Sequence, residues 1–123
     1  MDIEAILVVT GRVMLGSLFV IGGLRHFPIF DLLAETLAAR GVPFPKAAII
    51  AATIFEIASG ALLIAGVFAV PAALGLVIFT LLASFVALNF WDMEGEARTV
   101  MINMWLTNVA IIGGLLIVTG TAI

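Results

Sequence analysis

Five positions carry polar chemistry in or beside stretches that otherwise read as lipid-like: Arg12, His26, Glu56, Asn89 and Asn108. Glu56 stands in "AATIFEIASGALL" (51–63), where every other side chain is apolar, small or hydroxylic. An ionised side chain at the centre of a bilayer costs about 2.5–3.5 kcal/mol on insertion scales, so it calls for a partner or a function. Arg12 is the candidate partner. It lies about 12 residues from the loop end of the first apolar segment, and Glu56 about 10 from the loop end of the second. At 1.5 Å per residue these are depths of about 18 and 15 Å below one surface, so antiparallel neighbours would let the two groups meet. Asn108 is about 13 Å in from the same side. Such a set concentrates polarity from the midplane toward the loop face, like a cavity opening to that side. The same residues also fit a purely structural account, with the Arg–Glu pair fixing helix register and the amides acting as interhelical glue.

Elements able to hold these groups follow from composition. Of 123 residues, 64% are hydrophobic and 11% charged, against about 45–50% and about 25% in soluble domains. This is the make-up of an integral membrane protein, expected as one domain over 1–123. The net charge of −3 argues against nucleic acid as a partner. Without cysteine, and with a single histidine, the chain has no evident intrinsic metal, haem or iron–sulfur site. The start, "MDIEA", lacks the basic n-region of a signal peptide, and the first apolar segment is read as a permanent span.

Four segments reach the roughly 20 apolar residues a spanning helix needs: about 3–24, 46–66, 70–91 and 99–120. Between them lie a Pro-containing connector (25–45), a Gly/Pro turn "GVFAVP" (66–71) and an acidic loop "DMEGEAR" (92–98). Ile29, Leu32, Leu33 and Leu37 recur at helical spacing and predict an interfacial helix over about 29–40. Spanning backbones must satisfy themselves, and no period-2 alternation suggests a barrel. The expected fold is therefore all-α, an integral membrane four-helix antiparallel bundle. On helical faces, Arg12, Gly16, Phe19, Gly23 and His26 share one stripe, as do Thr53, Glu56, Ser59 and Gly60, with small residues allowing close approach. Thr80 and Ser84 add polarity to the third span. Arg25, Arg40, Lys46 and Arg98 all fall beside the two longer loops, which the positive-inside rule assigns to the cytoplasm, with both termini outside.

The segments "GRVMLGSLFVIGGLRHF" (11–27), "GVP" (41–43), "FEIASGALLIAG" (55–66), "FVALNFW" (85–91) and "TNVAIIGGLLIVTG" (107–120) together resemble the DoxX-like family of small four-helix bacterial membrane proteins. The resemblance implies residence in the bacterial inner membrane and, from some relatives, thiosulfate–quinone oxidoreduction or membership of membrane redox complexes. The family's recurring polar positions match Arg12, Glu56 and Asn108. Two departures are Asn89, where many relatives have His, and an end at "TGTAI", where many carry a longer tail. The functional expectation that follows is a redox-associated membrane subunit that binds a quinone or similar lipophilic molecule beside an Arg12–Glu56 pair. That pair would polarise or protonate a carbonyl oxygen, while Asn108, Asn89 and His26 donate hydrogen bonds and Phe19, Phe55 and Phe85 flank the ring. Its partners would be membrane lipids, a redox protein and a second copy of the chain. Rival readings are a small-molecule or proton-coupled transporter and a non-catalytic membrane scaffold.

Overall fold

The computed structural model describes residues 2–123. Its helices are α1 (Ile3–Leu24), α2 (Phe30–Ala39), α3 (Pro45–Ala65), α4 (Ala69–Ala87) and α5 (Gly95–Ala122), with 3-10 turns at Phe27–Ile29 and Phe90–Asp92. No strand occurs among the described residues. Four segments, starting at Ile3, Pro45, Ala69 and Gly95, are long and apolar enough to cross a membrane. The expected four-helix membrane bundle is what the chain forms.

Local chemistry sets the ends. The Asp2 carboxylate accepts the Ala5 N–H at 2.8 Å, satisfying one of the donors that open a helix. Pro45 starts α3 at the position where a missing N–H costs nothing. Gly66 ends α3 with φ 74°. Its N–H and that of Val67 return to Leu63 and Leu62 at 3.2 and 3.1 Å, a Schellman closure that needs a residue without a Cβ. The chain thereby reverses into α4 within three residues.

α1 packs on α3, α3 on α4, α4 on α5 and α5 back on α1. The α1–α3 seam is the tightest, because Gly16 and Gly60 face each other. A Cβ on Gly16 would stand 2.5 Å from the Gly60 carbonyl oxygen, and one on Gly60 2.7 Å from that of Gly16. Small residues thus let the backbones touch where apolar burial supplies no drive in lipid. At the centre, Phe19, Leu63, Ala72, Ala73, Leu76, Leu115 and Val118 form the buried cluster. Leu18, Ile21, Ile54, Ile78 and Leu106 point outward and are exposed, as expected of a surface that meets acyl chains.

α2 is oriented more specifically than the predicted interfacial helix. Ala34 is buried and Leu33 and Leu37 half-buried against α3 and α4, while Ile29 and Leu32 face out. Two other boundaries differ from those expected of the sequence. α4 stops at Ala87 rather than near 91, because the Asn89 amide donates to the Phe85 carbonyl at 2.8 Å and the Trp105 indole donates to that of Leu88 at 2.6 Å. α5 begins at Gly95 rather than near 99, absorbing the second half of the acidic loop. Glu94 and Glu96 then flank its N-terminus, where negative charge is favourable. At 28 residues α5 is about 42 Å long, so its exposed first turns extend past a hydrocarbon core of about 30 Å.

Candidate binding site

Glu56 is buried on α3, but its neighbour is His26 rather than Arg12. His26 stands just past the end of α1, with Nδ1 2.7 Å from the Thr53 hydroxyl and Nε2 3.6 Å from Glu56 Oε2. The roles in the first contact depend on the imidazole tautomer. The second is too long for a hydrogen bond, and Oε2 is buried without a hydrogen-bond partner. Glu56 Oε1 lies against the bare backbone of Gly22, 2.8 Å from where a Cβ would be. Thr53 and Glu56 are one helical step apart on α3 and share a face, so the connector after α1 needs to supply only one side chain to complete the cluster.

The predicted Arg12–Glu56 pair is not formed. The Arg12 guanidinium packs over Gly66, with Nη2 2.8 Å from the position a Cβ would take. Gly66 is ten residues beyond Glu56 on α3, about 15 Å along the axis. Matching depths would bring the two groups together only if α1 and α3 ended in one plane. Instead His26 is level with Thr53, so the first two turns of α3 reach past α1 and α2 packs there. That offset moves Arg12 to the opposite end of the seam. Arg12 forms no ion pair among the described residues, and its Nε is buried without a partner.

The remaining predicted residues also separate. Asn108 donates to the Ser84 hydroxyl at 2.8 Å, and Ser84 donates to the Thr80 carbonyl at 2.6 Å. Thr80 follows Phe79, whose ring centroid is 5.9 Å from that of Phe55. This places Thr80 level with Glu56 across the α3–α4 interface, with its own hydroxyl buried and unpartnered. Asn89 closes the end of α4 and is not joined to the His26 cluster by a hydrogen bond. None of the three phenylalanines expected to flank a ring lines the cavity described below. Phe19 is in the core, Phe55 packs on Phe79 and Gly75, and Phe85 joins Trp91 and Trp105 near the loop.

The space that could take a ligand lies between α2, α3 and α4. It is a cavity of about 360 Å³ lined by Leu33, Leu37, Ile49, Phe79, Val86 and other aliphatics, with His26 the polar residue in its wall. A second cleft of about 350 Å³, lined by Gly22, Arg25, His26, Pro28 and Ile29, lies on the loop side of the same imidazole. His26 therefore borders both an apolar chamber and a polar approach. Sequence reasoning missed Phe79, Leu33 and Leu37 as lining. The inward half of the α2 stripe was a readable signal for the two leucines, whereas nothing distinguished Phe79 from its apolar neighbours. No group of three or more His, Cys, Asp or Glu side chains suited to a metal ion occurs among the described residues.

The family profile described as DoxX matches residues 7–89. Inner membrane protein YphA of Escherichia coli (strain K12) is 32% identical over 117 residues, which cover 94% of this chain and 83% of that protein. No solved structure matches.

Proposed function

The chain belongs to the DoxX family, and from that premise we propose that it is a multi-pass inner-membrane protein that binds a quinone in the α2–α3–α4 cavity. In this reading it is a redox-associated subunit. The observation that carries it is an apolar chamber of ligand size whose one polar wall residue, His26, is backed by Thr53 and Glu56. Small-molecule sites are typically chambers of about 300–1,000 Å³ with few, well-placed polar groups. A bound quinone would supply a two-electron, two-proton acceptor, with electrons arriving from a partner protein. The chain's own residues then bind and protonate. Leu33, Leu37 and Phe79 enclose the ring, and His26 offers a proton to a carbonyl oxygen. The cleft beside Arg25 gives that imidazole a route to the loop surface, and Glu56 stabilises its protonated form. The longer loops, joined by Arg40 and Asp92 at 3.3 Å, lie on the cytoplasmic side in this reading.

Titration of the detergent-purified protein with a short-chain benzoquinone, followed by tryptophan fluorescence and calorimetry, tests this. Saturable binding is expected, weakened roughly tenfold in Glu56→Gln by loss of a charge-assisted interaction and abolished by Ala83→Trp, which fills the chamber. Equal affinity in wild type, Glu56→Gln and Ala83→Trp would sink the reading. Binding accompanied by proton-driven flux in liposomes would move the protein to the transporter class.

A further inference from the structure

We propose that the groove between the first half of α1 and the last turns of α5 is a binding site for one anionic phospholipid, with its phosphate seated on Arg12. The groove has a volume of about 290 Å³, and its walls include Leu7, Leu15, Ile117 and Val118 around the guanidinium. Arg12 has no carboxylate partner among the described residues, and its buried Nε has no acceptor. The cation is nevertheless held in place, because the guanidinium rests on the bare backbone of Gly66. A planar, fixed guanidinium is well suited to a phosphate, which it can bind through two parallel N–H donors.

Position selects a lipid rather than a dissolved anion. Arg12 is level with the α3–α4 turn, whose backbone polar groups must reach the headgroup zone because lipid cannot satisfy them. Phe68 in that turn is 71% exposed, as befits an aromatic side chain at the interface. Toward the bundle centre the wall continues as Leu15 against Gly114, and Ile117, about level with Arg12, is 69% exposed on the bundle's outer surface. An amphiphile with a negative head and an acyl tail satisfies both halves at once. The other four cations, Arg25, Arg40, Lys46 and Arg98, sit at the far end of the bundle, so Arg12 is the sole charge attraction on this face among the described residues.

The test compares phosphatidylglycerol, phosphatidylcholine with the same chains, and sn-glycerol 3-phosphate, each added to the detergent-purified full chain. Bound lipid is read by native mass spectrometry and stability by Tm. Wild type is expected to retain phosphatidylglycerol roughly tenfold more tightly than phosphatidylcholine, the effect of one hydrogen-bonded charge, and to gain Tm only with the former. Arg12→Gln is expected to remove that preference. Gly11→Phe provides a second arm: its Cβ site has nothing within 4 Å, so the ring enters the groove while Arg12 stays, and lipid retention should fall. A wild type without headgroup preference, a preference surviving in both variants, or an equal response to sn-glycerol 3-phosphate overturns the proposal.

Discussion

Glu56 and Arg12 belong to the same pair of helices and are both surrounded by aliphatic side chains, yet their surroundings differ in kind. At the Glu56 end, polar neighbours gather: Thr53 from the same helix, His26 from the connector, and the Thr80–Ser84–Asn108 set across the bundle. At the Arg12 end there is bare glycine backbone and a groove open to the outside. A carboxylate has a short reach and must find its partners inside the bundle. An arginine can extend its side chain toward an interface. One end has a polar cluster behind an aliphatic groove, the other a single cation in an aliphatic groove.

The Gly16–Gly60 contact keeps the two ends apart by fixing the register of α1 on α3. Breaking it should have the largest effect. Gly60→Leu would place side-chain atoms where the Gly16 carbonyl oxygen lies 2.7 Å from the Cβ position, and the helices can only separate. A loss of about 3 kcal/mol is expected, read as a lowered Tm in detergent, with His26 drawn off Thr53 and Arg12 off Gly66 at the same time. Gly113→Leu is the control, since a Cβ there meets nothing within 4 Å, and its effect should stay within about 0.5 kcal/mol. Equal destabilisation by both would show that the seam does not set the register.

Next in size are substitutions that touch one end alone. Gly66→Ala forces a Cβ into the left-handed region at φ 74° and against the guanidinium, a cost of about 2 kcal/mol. Thr53→Val removes the hydroxyl that His26 engages at 2.7 Å. It should cost about 1 kcal/mol, since interhelical hydrogen bonds in membranes contribute modestly. The two responses should be separable: Gly66→Ala leaves quinone titration unchanged, whereas Thr53→Val alters it. A change in quinone affinity in Gly66→Ala would mean that the ends communicate.

Much of this architecture is legible in the chain. Apolar run lengths give the spans, and Gly16, Gly60 and Glu56 fall on the stripes that do face one another. The connector is harder to read. Its 20 residues from Arg25 to Phe44 contain α2, and nothing in hydropathy says that α3 starts two turns beyond the end of α1. That single offset turns two sound depths into a false pair. It also hides the role of His26, which in the sequence resembles an ordinary interfacial side chain beside Arg25. The cavity is hidden for a related reason. It is formed by the inward side of α2 meeting α3 and α4, and each of its aliphatic walls is individually indistinguishable from a lipid-facing leucine. Asn89 misleads differently: an amide at the end of an apolar span suggests a donor to a ligand, while its local bond to Phe85 ends a helix.

The smallest expected effect is also the most discriminating. If Arg12 and Glu56 formed a buried ion pair, removing either would strand the other, and removing both would restore part of the loss. A cycle of wild type, Arg12→Gln, Glu56→Gln and the double variant would then show substantial coupling. With the groups about 15 Å apart along α3 and sharing no partner, their effects should add within about 0.5 kcal/mol. Reversible unfolding in mixed micelles measures the four stabilities. Coupling above about 1 kcal/mol would mean that α1 had slid along α3 toward the depth-matched register. That slide is opposed at two places at once, by His26 on Thr53 and by the Arg12 guanidinium on Gly66. Additivity in the cycle, together with an intact Gly60 response, would therefore establish the staggered seam as the feature that sets Glu56 behind His26 and Arg12 against Gly66.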